Sequence, residues 1–261
     1  MMGSGCPPGF SSLRSERSVL RRQRSGRAML GVLTVCLAAV LAAMAQAGRA
    51  RVALLPDAMV WASVPHGFMY RWRLDRREQP GRVLLRLSTA IPNQGAGPLE
   101  LIGGEVLDDG TQAVYQRVYY DDGGYEDRLA GTFVYHPDHH HFHFEGYAEY
   151  RLRAFTPEGG VGEIVAGGDK VSFCLIDVLP YNRKLPGFPR FPEYLTCNTD
   201  RQGISVGWAD VYDKSLPDQW IDVTDVPDGR YWLEVEVDPD DRLLESNETN
   251  NLTRIPILLR K

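Results

Sequence analysis

Beyond Gly48 this sequence has only two cysteines, no low-complexity segment, no clear internal repeat and no long amphipathic helical period. The missing repeat and the missing helical period leave one core built from short elements. Positive charge is scarce too. Six of the 29 basic residues and one of the 34 acidic residues precede Gly48, which leaves 23 against 33 and a net charge of −10. An acidic chain of that kind argues against nucleic acid as a partner. What the sequence does have is 43% hydrophobic residues, 10% aromatics, 26 Gly and 17 Pro. Short apolar runs punctuated by Gly and Pro suit many strands joined by turns.

The first 47 residues differ in kind. Arg14, Arg17, Arg21, Arg22, Arg24 and Arg27 stand against the single acid Glu16. An apolar run over residues 28–45 follows, and Ala45-Gln46-Ala47 closes it. A basic stretch, an apolar stretch and a small-x-small site form a secretory signal, with cleavage expected after Ala47. The alternative is an uncleaved anchor, because the run approaches the ~20 residues that span a bilayer. That anchor is the one membrane contact the sequence offers. Residues 48–261 then form a single domain that is secreted, periplasmic or held at the cell surface.

Cysteine use fits export. Cys6 and Cys36 lie in or before the apolar run, which leaves Cys174 and Cys197. Two cysteines in an exported chain most often pair. The chain-entropy model gives such a loop about 3 kcal/mol. Two free buried thiols are the alternative.

Residues 83–87, 114–120, 147–155, 171–178 and 255–259 read as strands. Residues 229–237 alternate strictly at Tyr231, Leu233, Val235 and Val237, the pattern of a half-buried strand. Pro256 implies that the last strand is an edge. Turn residues mark 92–98 and 121–124, and the Pro-rich stretch 181–191 must be irregular. The expected fold is all-β, an antiparallel β-sandwich with long irregular loops.

Five of the six histidines lie within residues 136–143. On a strand, side chains at i, i+2 and i+4 share a face, so His139, His141 and His143 project together. Neutral and buried, each needs a partner, and one metal ion satisfies all three. Imidazole alone does not choose between copper and zinc. A cupin-like site would need a further His on a later strand, and none follows His143.

The run Tyr135-His136-x-x-His139-x-His141-x-His143 is similar to the copper segment of lysyl oxidases. Further matches follow the family's order. Residues 83–86 with Asn93-Gln94-Gly95 resemble an early strand and loop. Lys170-Val171-Ser172-Phe173-Cys174-Leu175, Gly203-Ile204-Ser205-x-Gly207-x-x-Asp210-x-Tyr212, residues 219–226, and Glu245-Ser246 with Thr249-Asn250-Asn251 complete the series. The resemblance spans about residues 83–254. It implies a secreted amine oxidase using Cu2+ bound by His139, His141 and His143. It also implies a lysine tyrosylquinone formed from Lys170 and Tyr212. Such an enzyme turns primary amines, peptidyl lysine among them, into aldehydes, consumes dioxygen, and releases peroxide and ammonia. Asp210, two residues from Tyr212, is a candidate general base or copper-shell residue; a turn-forming Asp is the alternative. The chain lacks most cysteines of the animal enzymes, and its segment between Lys170 and Tyr212 is longer.

Two other function classes stay open. The C-terminal strand and the segment after it also resemble small extracellular adhesion modules, which would bind metal without a Lys170–Tyr212 link. A zinc or iron enzyme would need a further ligand, and Glu145 is the nearest carboxylate in sequence.

Overall fold

The computed structural model describes residues 50–62, 69 and 71–261, so the expected signal over residues 1–47 lies outside the described residues. Among the described residues no helix is long and apolar enough to cross a membrane. The regular structure is antiparallel β throughout.

The sequence pattern explains the largest elements. Gly229–Val237 buries Tyr231, Leu233, Val235 and Val237, as its alternation predicts. It lies between Ala148–Phe155 and Leu252–Leu259 in a four-stranded sheet completed by Val161–Gly167. Leu252–Leu259 is an edge, as Pro256 requires. Glu234 breaks the alternation: it is fully buried on the other face. Arg151 and Arg254 face it across the two neighbouring strands and bond it, together with Arg153. Three guanidiniums satisfy a carboxylate that could not otherwise leave water.

A six-stranded sheet runs in the order Gln202–Ile204, Leu99–Val106, Gln112–Tyr120, Tyr125–His136 and His141–Phe144, with Ala53–Leu54 pairing with Gln112–Tyr120. Its inward residues Leu99, Leu101, Val114, Phe133 and Phe144 join Leu152, Leu233, Val235 and Ile257 of the other sheet in one core. Two three-stranded sheets complete the fold. One orders Leu179–Pro180, Trp208–Tyr212 and Thr89–Pro92; the other orders Trp220–Asp222, Leu84–Leu87 and Trp72–Asp75. The all-β reading holds.

Two local expectations need correction. Residues 171–178 do not form a strand. They make an isolated bridge, Phe144 to Phe173, with hydrogen bonds of 2.7 and 3.0 Å. Past Phe173 the backbone bonds a different partner at each step: Leu175 to the Gln202 side chain, Asp177 to Tyr194, Val178 to Ala209. Apolar composition made the stretch buried, but no single neighbour runs alongside it to make a ladder. Nor does His139 lie on a strand. The strand is His141–Phe144, and His139 sits in the preceding turn.

The acidic stretches at residues 121–122 and 238–241 act as turns. Asp238 accepts from the amides of Arg242 and Leu243, and Asp122 accepts from Gly124. Glu245 differs. It is 5% exposed, bonds the Ala58 amide and the Asn251 side chain, and is pushed up to about 8, chiefly by burial and then by Glu248 and Asp238. An unfolded chain releases this proton near pH 4.3. Between there and pH 8 the folded chain binds more protons, so stability falls as pH rises through that window. Glu245→Gln is expected to flatten that slope, raising Tm at pH 8 by roughly 5 °C while leaving pH 4 almost unchanged. Parallel Tm–pH curves for the two proteins would refute this assignment.

Candidate active site

The histidines are gathered by a hairpin. Tyr125–His136 pairs with His141–Phe144 so that His136 faces His141 and Val134 faces His143. Directly opposed residues share a face of an antiparallel pair, which puts His136 beside His141 and His143. The turn closes at His140, in the left-handed region at φ 56° and exposed. That turn folds His139 back over the same face. His143 Nε2 lies 2.9 Å from His141 Nε2 and 3.2 Å from His139 Nδ1.

One ring nitrogen cannot serve two others with a proton at each contact. Three imidazole nitrogens converging this way are a donor set for a common cation, and the residues present fit a copper ion. Burial, then the Lys170 charge, pushes His143 down to about 2, and the same two causes lower His139 and His141. All three are therefore neutral and ready to ligate. His143 Nδ1 meets Ser172 Oγ at 3.2 Å, which orients the ring. His139 Nε2 points toward Asp218, 3.9 Å away.

His136, the last residue of the strand Tyr125–His136, also belongs to the cluster. Its ring stacks on His139 at 4.2 Å, and its Nδ1 is buried without a hydrogen-bond partner. His136, His139 and His143 each place one donor atom within 4.8 Å of the others. Two overlapping triads therefore exist. The tighter by ring separation is His136, His139 and His143, at 4.2 to 5.0 Å, and His141 joins it through its 2.9 Å approach to His143. The signal was in the sequence: a histidine at the last strand position before a short turn faces the first position after it. Glu145 is not among the cavity-lining residues, so it offers no support for a zinc or iron enzyme.

Lys170 and Tyr212, from distant segments, meet in the same cavity of about 290 Å³. Tyr212 ends the strand Trp208–Tyr212, where Asp210 and Tyr212 both point inward and Val211 between them is partly exposed. Lys170 is 7% exposed, and its Nζ lies 5.1 Å from the Phe173 ring and 5.9 Å from the Tyr212 ring. Phe173 packs edge-on to Tyr212 at 4.8 Å. Burial lowers the Lys170 pKa, partly offset by Asp218 and Asp210. The Tyr212 hydroxyl donates to the Cys174 carbonyl. Burial first and the neighbouring Asp210 second hold the phenol well above its ordinary pKa.

Asp210 is a strand residue, 1% exposed, and not a turn former. Its Oδ1 accepts from the Val211 amide at 2.8 Å, while Oδ2 is buried without a hydrogen-bond partner. Burial raises its pKa well above the carboxylate range. The Tyr147 hydroxyl, also fully buried and without a partner, is a further polar group that sequence reasoning did not single out.

Cys174 and Cys197 form a disulfide with Cα atoms 5.4 Å apart, and both line the cavity. The bridge joins two sides of the site. The Cys174 carbonyl holds Tyr212, and the Cys197 carbonyl accepts from the Phe142 amide, between His141 and His143. Gln202 bridges the same two segments, accepting from Leu175 at 3.1 Å and donating to the Phe142 carbonyl at 3.0 Å. The glycine of Gly203-Ile204-Ser205-x-Gly207 is equally particular. Gly207 has φ 75°, and a Cβ there would lie 2.4 Å from the Asn182 carbonyl. That close approach packs the Pro-rich loop beside the strand carrying Asp210 and Tyr212.

Among curated proteins none matches the chain. A family model described as lysyl oxidase matches residues 127–260. The match takes in the histidine hairpin, Lys170, Asp210 and Tyr212; residues 83–86 and 93–95, which carry part of the sequence resemblance, lie upstream of it. Spanning just over half of the chain, it establishes that the protein belongs to the lysyl oxidase family.

Proposed function

We propose that the protein is an exported copper amine oxidase that converts primary amines to aldehydes, with release of peroxide and ammonia, through a lysine tyrosylquinone built from its own Lys170 and Tyr212. The observation that carries this reading is the meeting of a buried lysine and a buried tyrosine with three converging neutral imidazoles in one cavity.

Each side chain has a part. His139, His141 and His143 would hold the copper, and Ser172 orients His143. Copper bound there would supply, with dioxygen, the oxidation of the Tyr212 ring. Lys170, whose pKa burial lowers, offers the nitrogen that adds to the ring once its proton is lost. Phe173 and the Cys174 carbonyl fix the plane and the oxygen of Tyr212. Asp210, buried beside Tyr212 in the cavity lining with Oδ2 free of a hydrogen-bond partner, is the group we assign to take the α-proton of the bound amine. The disulfide is compatible with an oxidising compartment.

Peptide mass spectrometry of copper-loaded protein tests the assignment. A Lys170 peptide joined to a Tyr212 peptide, with gain of one oxygen and loss of four hydrogens, is the expected product. Two separate, unmodified peptides after copper and air would leave a metal-binding module without a quinone.

A further inference from the structure

We infer that Asp218 is a positioning residue for the metal site: its carboxylate accepts the N–H of His139 Nε2 and so turns the lone pair of His139 Nδ1 toward the cation. This deepens the amine oxidase reading and rests on its copper assignment alone, not on the quinone.

His139 needs a partner outside the cluster. Its Nδ1 converges on His143 Nε2 at 3.2 Å, while its Nε2 is buried without a hydrogen-bond partner. A neutral imidazole carries its proton on one nitrogen and its lone pair on the other. Stacking on His136 at 4.2 Å sets the plane of the ring. It selects neither the tautomer nor the edge of the ring that faces His143. His143 has Ser172 for that purpose, at its far nitrogen. The equivalent group for His139 is Asp218, whose Oδ2 lies 3.9 Å from Nε2. That gap is longer than a hydrogen bond. The Asp218 side chain is 41% exposed, against 12% for His139, so the carboxylate has room to turn and close it. A ligating histidine almost always donates its other N–H to an outer acceptor, which also makes its lone pair a better donor.

The backbone beneath Asp218 is held on both sides. Pro217 precedes it, and the buried Arg86 guanidinium donates to the carbonyls of Lys214 and Leu216. Gln219 follows, fully buried. Its side-chain amide donates to the Tyr150 hydroxyl at 2.8 Å, and its carbonyl accepts from the Leu87 amide at 3.2 Å. Between these anchors Asp218 takes φ 59°, in the left-handed region that Asn and Asp tolerate best among side chains. The same carboxylate is the foremost charge that raises the Lys170 pKa against burial. Asp218 therefore stands near both the histidines and Lys170, beside the cavity that Pro217 lines.

Two variants separate the carboxylate from the turn. Asp218→Gly keeps the left-handed backbone and removes the acceptor; Asp218→Asn keeps the backbone and a weaker, uncharged acceptor. One readout is the tautomer of His139 in metal-free protein, by nitrogen nuclear magnetic resonance. The other is copper affinity by titration. Unmutated protein should carry the His139 proton on Nε2. In Asp218→Gly the two tautomers should mix, and copper affinity should fall at least about tenfold. Asp218→Asn should lose at least about threefold. A pure Nε2–H tautomer in Asp218→Gly overturns the inference even if affinity falls, because that is the mark of a loop that merely packs. Unchanged copper affinity in Asp218→Asn overturns it too, which decides the matter should the glycine variant not fold. Absence of copper binding by the unmutated protein counts against the copper assignment, while the tautomer in metal-free protein still decides whether Asp218 orients His139.

Discussion

Tyr212→Phe is expected to abolish amine-dependent peroxide release while leaving the fold and copper content intact. The hydroxyl that is lost makes one hydrogen bond, to the Cys174 carbonyl, so its removal costs about 1 kcal/mol of stability. The ring stays edge-on to Phe173. A phenyl ring cannot become the quinone, so the chemical effect is total where the structural effect is small. Lys170→Arg makes the complementary case. It keeps length and positive charge, but a guanidinium does not give up its proton in a protein and cannot add to the ring. Peroxide release should again vanish, with copper bound and no crosslinked peptide. Peroxide production at the unmutated rate in either variant would sink the quinone mechanism.

Copper should be lost from His143→Ala, with affinity falling at least about a hundredfold. His143 is the most buried of the cluster, at 2% exposure, and its Nε2 is the atom that both His139 and His141 approach. Ser172→Ala touches the same imidazole from the other nitrogen and should cost about tenfold, because outer hydrogen bonds orient a ligand without supplying its lone pair. His140→Ala is the control: it projects to solvent from the turn and should leave copper binding unchanged. Metal titration monitored by electron paramagnetic resonance would rank the three. Retention of full affinity in His143→Ala would show that the donor set lies elsewhere in the cluster, with His136 the first alternative.

How much of this was legible in the sequence depends on how local the signal is. Strand periodicity is local. Tyr231, Leu233, Val235 and Val237 announced a half-buried strand, Pro256 announced an edge, and five histidines in eight residues announced a cluster of candidate metal ligands. The ordered motifs gave the family and singled out Lys170 and Tyr212. The sequence could not show which backbone groups would find partners. Residues 171–178 are as apolar as a strand, yet they are held piecemeal by Gln202, Tyr194 and Ala209, contacts made between residues far apart in the chain.

The sequence by itself determined the class of fold, the histidine set and the pair of side chains available for a cofactor, because periodicity and residue chemistry travel with the chain. Tertiary structure alone decided the rest. A hairpin turn, not strand alternation, delivers His139 and adds His136. Burial lowers the Lys170 pKa and raises that of Asp210. One disulfide ties the tyrosine's carbonyl partner to the histidine strand. Each of these depends on desolvation or on contact between distant segments, and no residue carries either in its own identity.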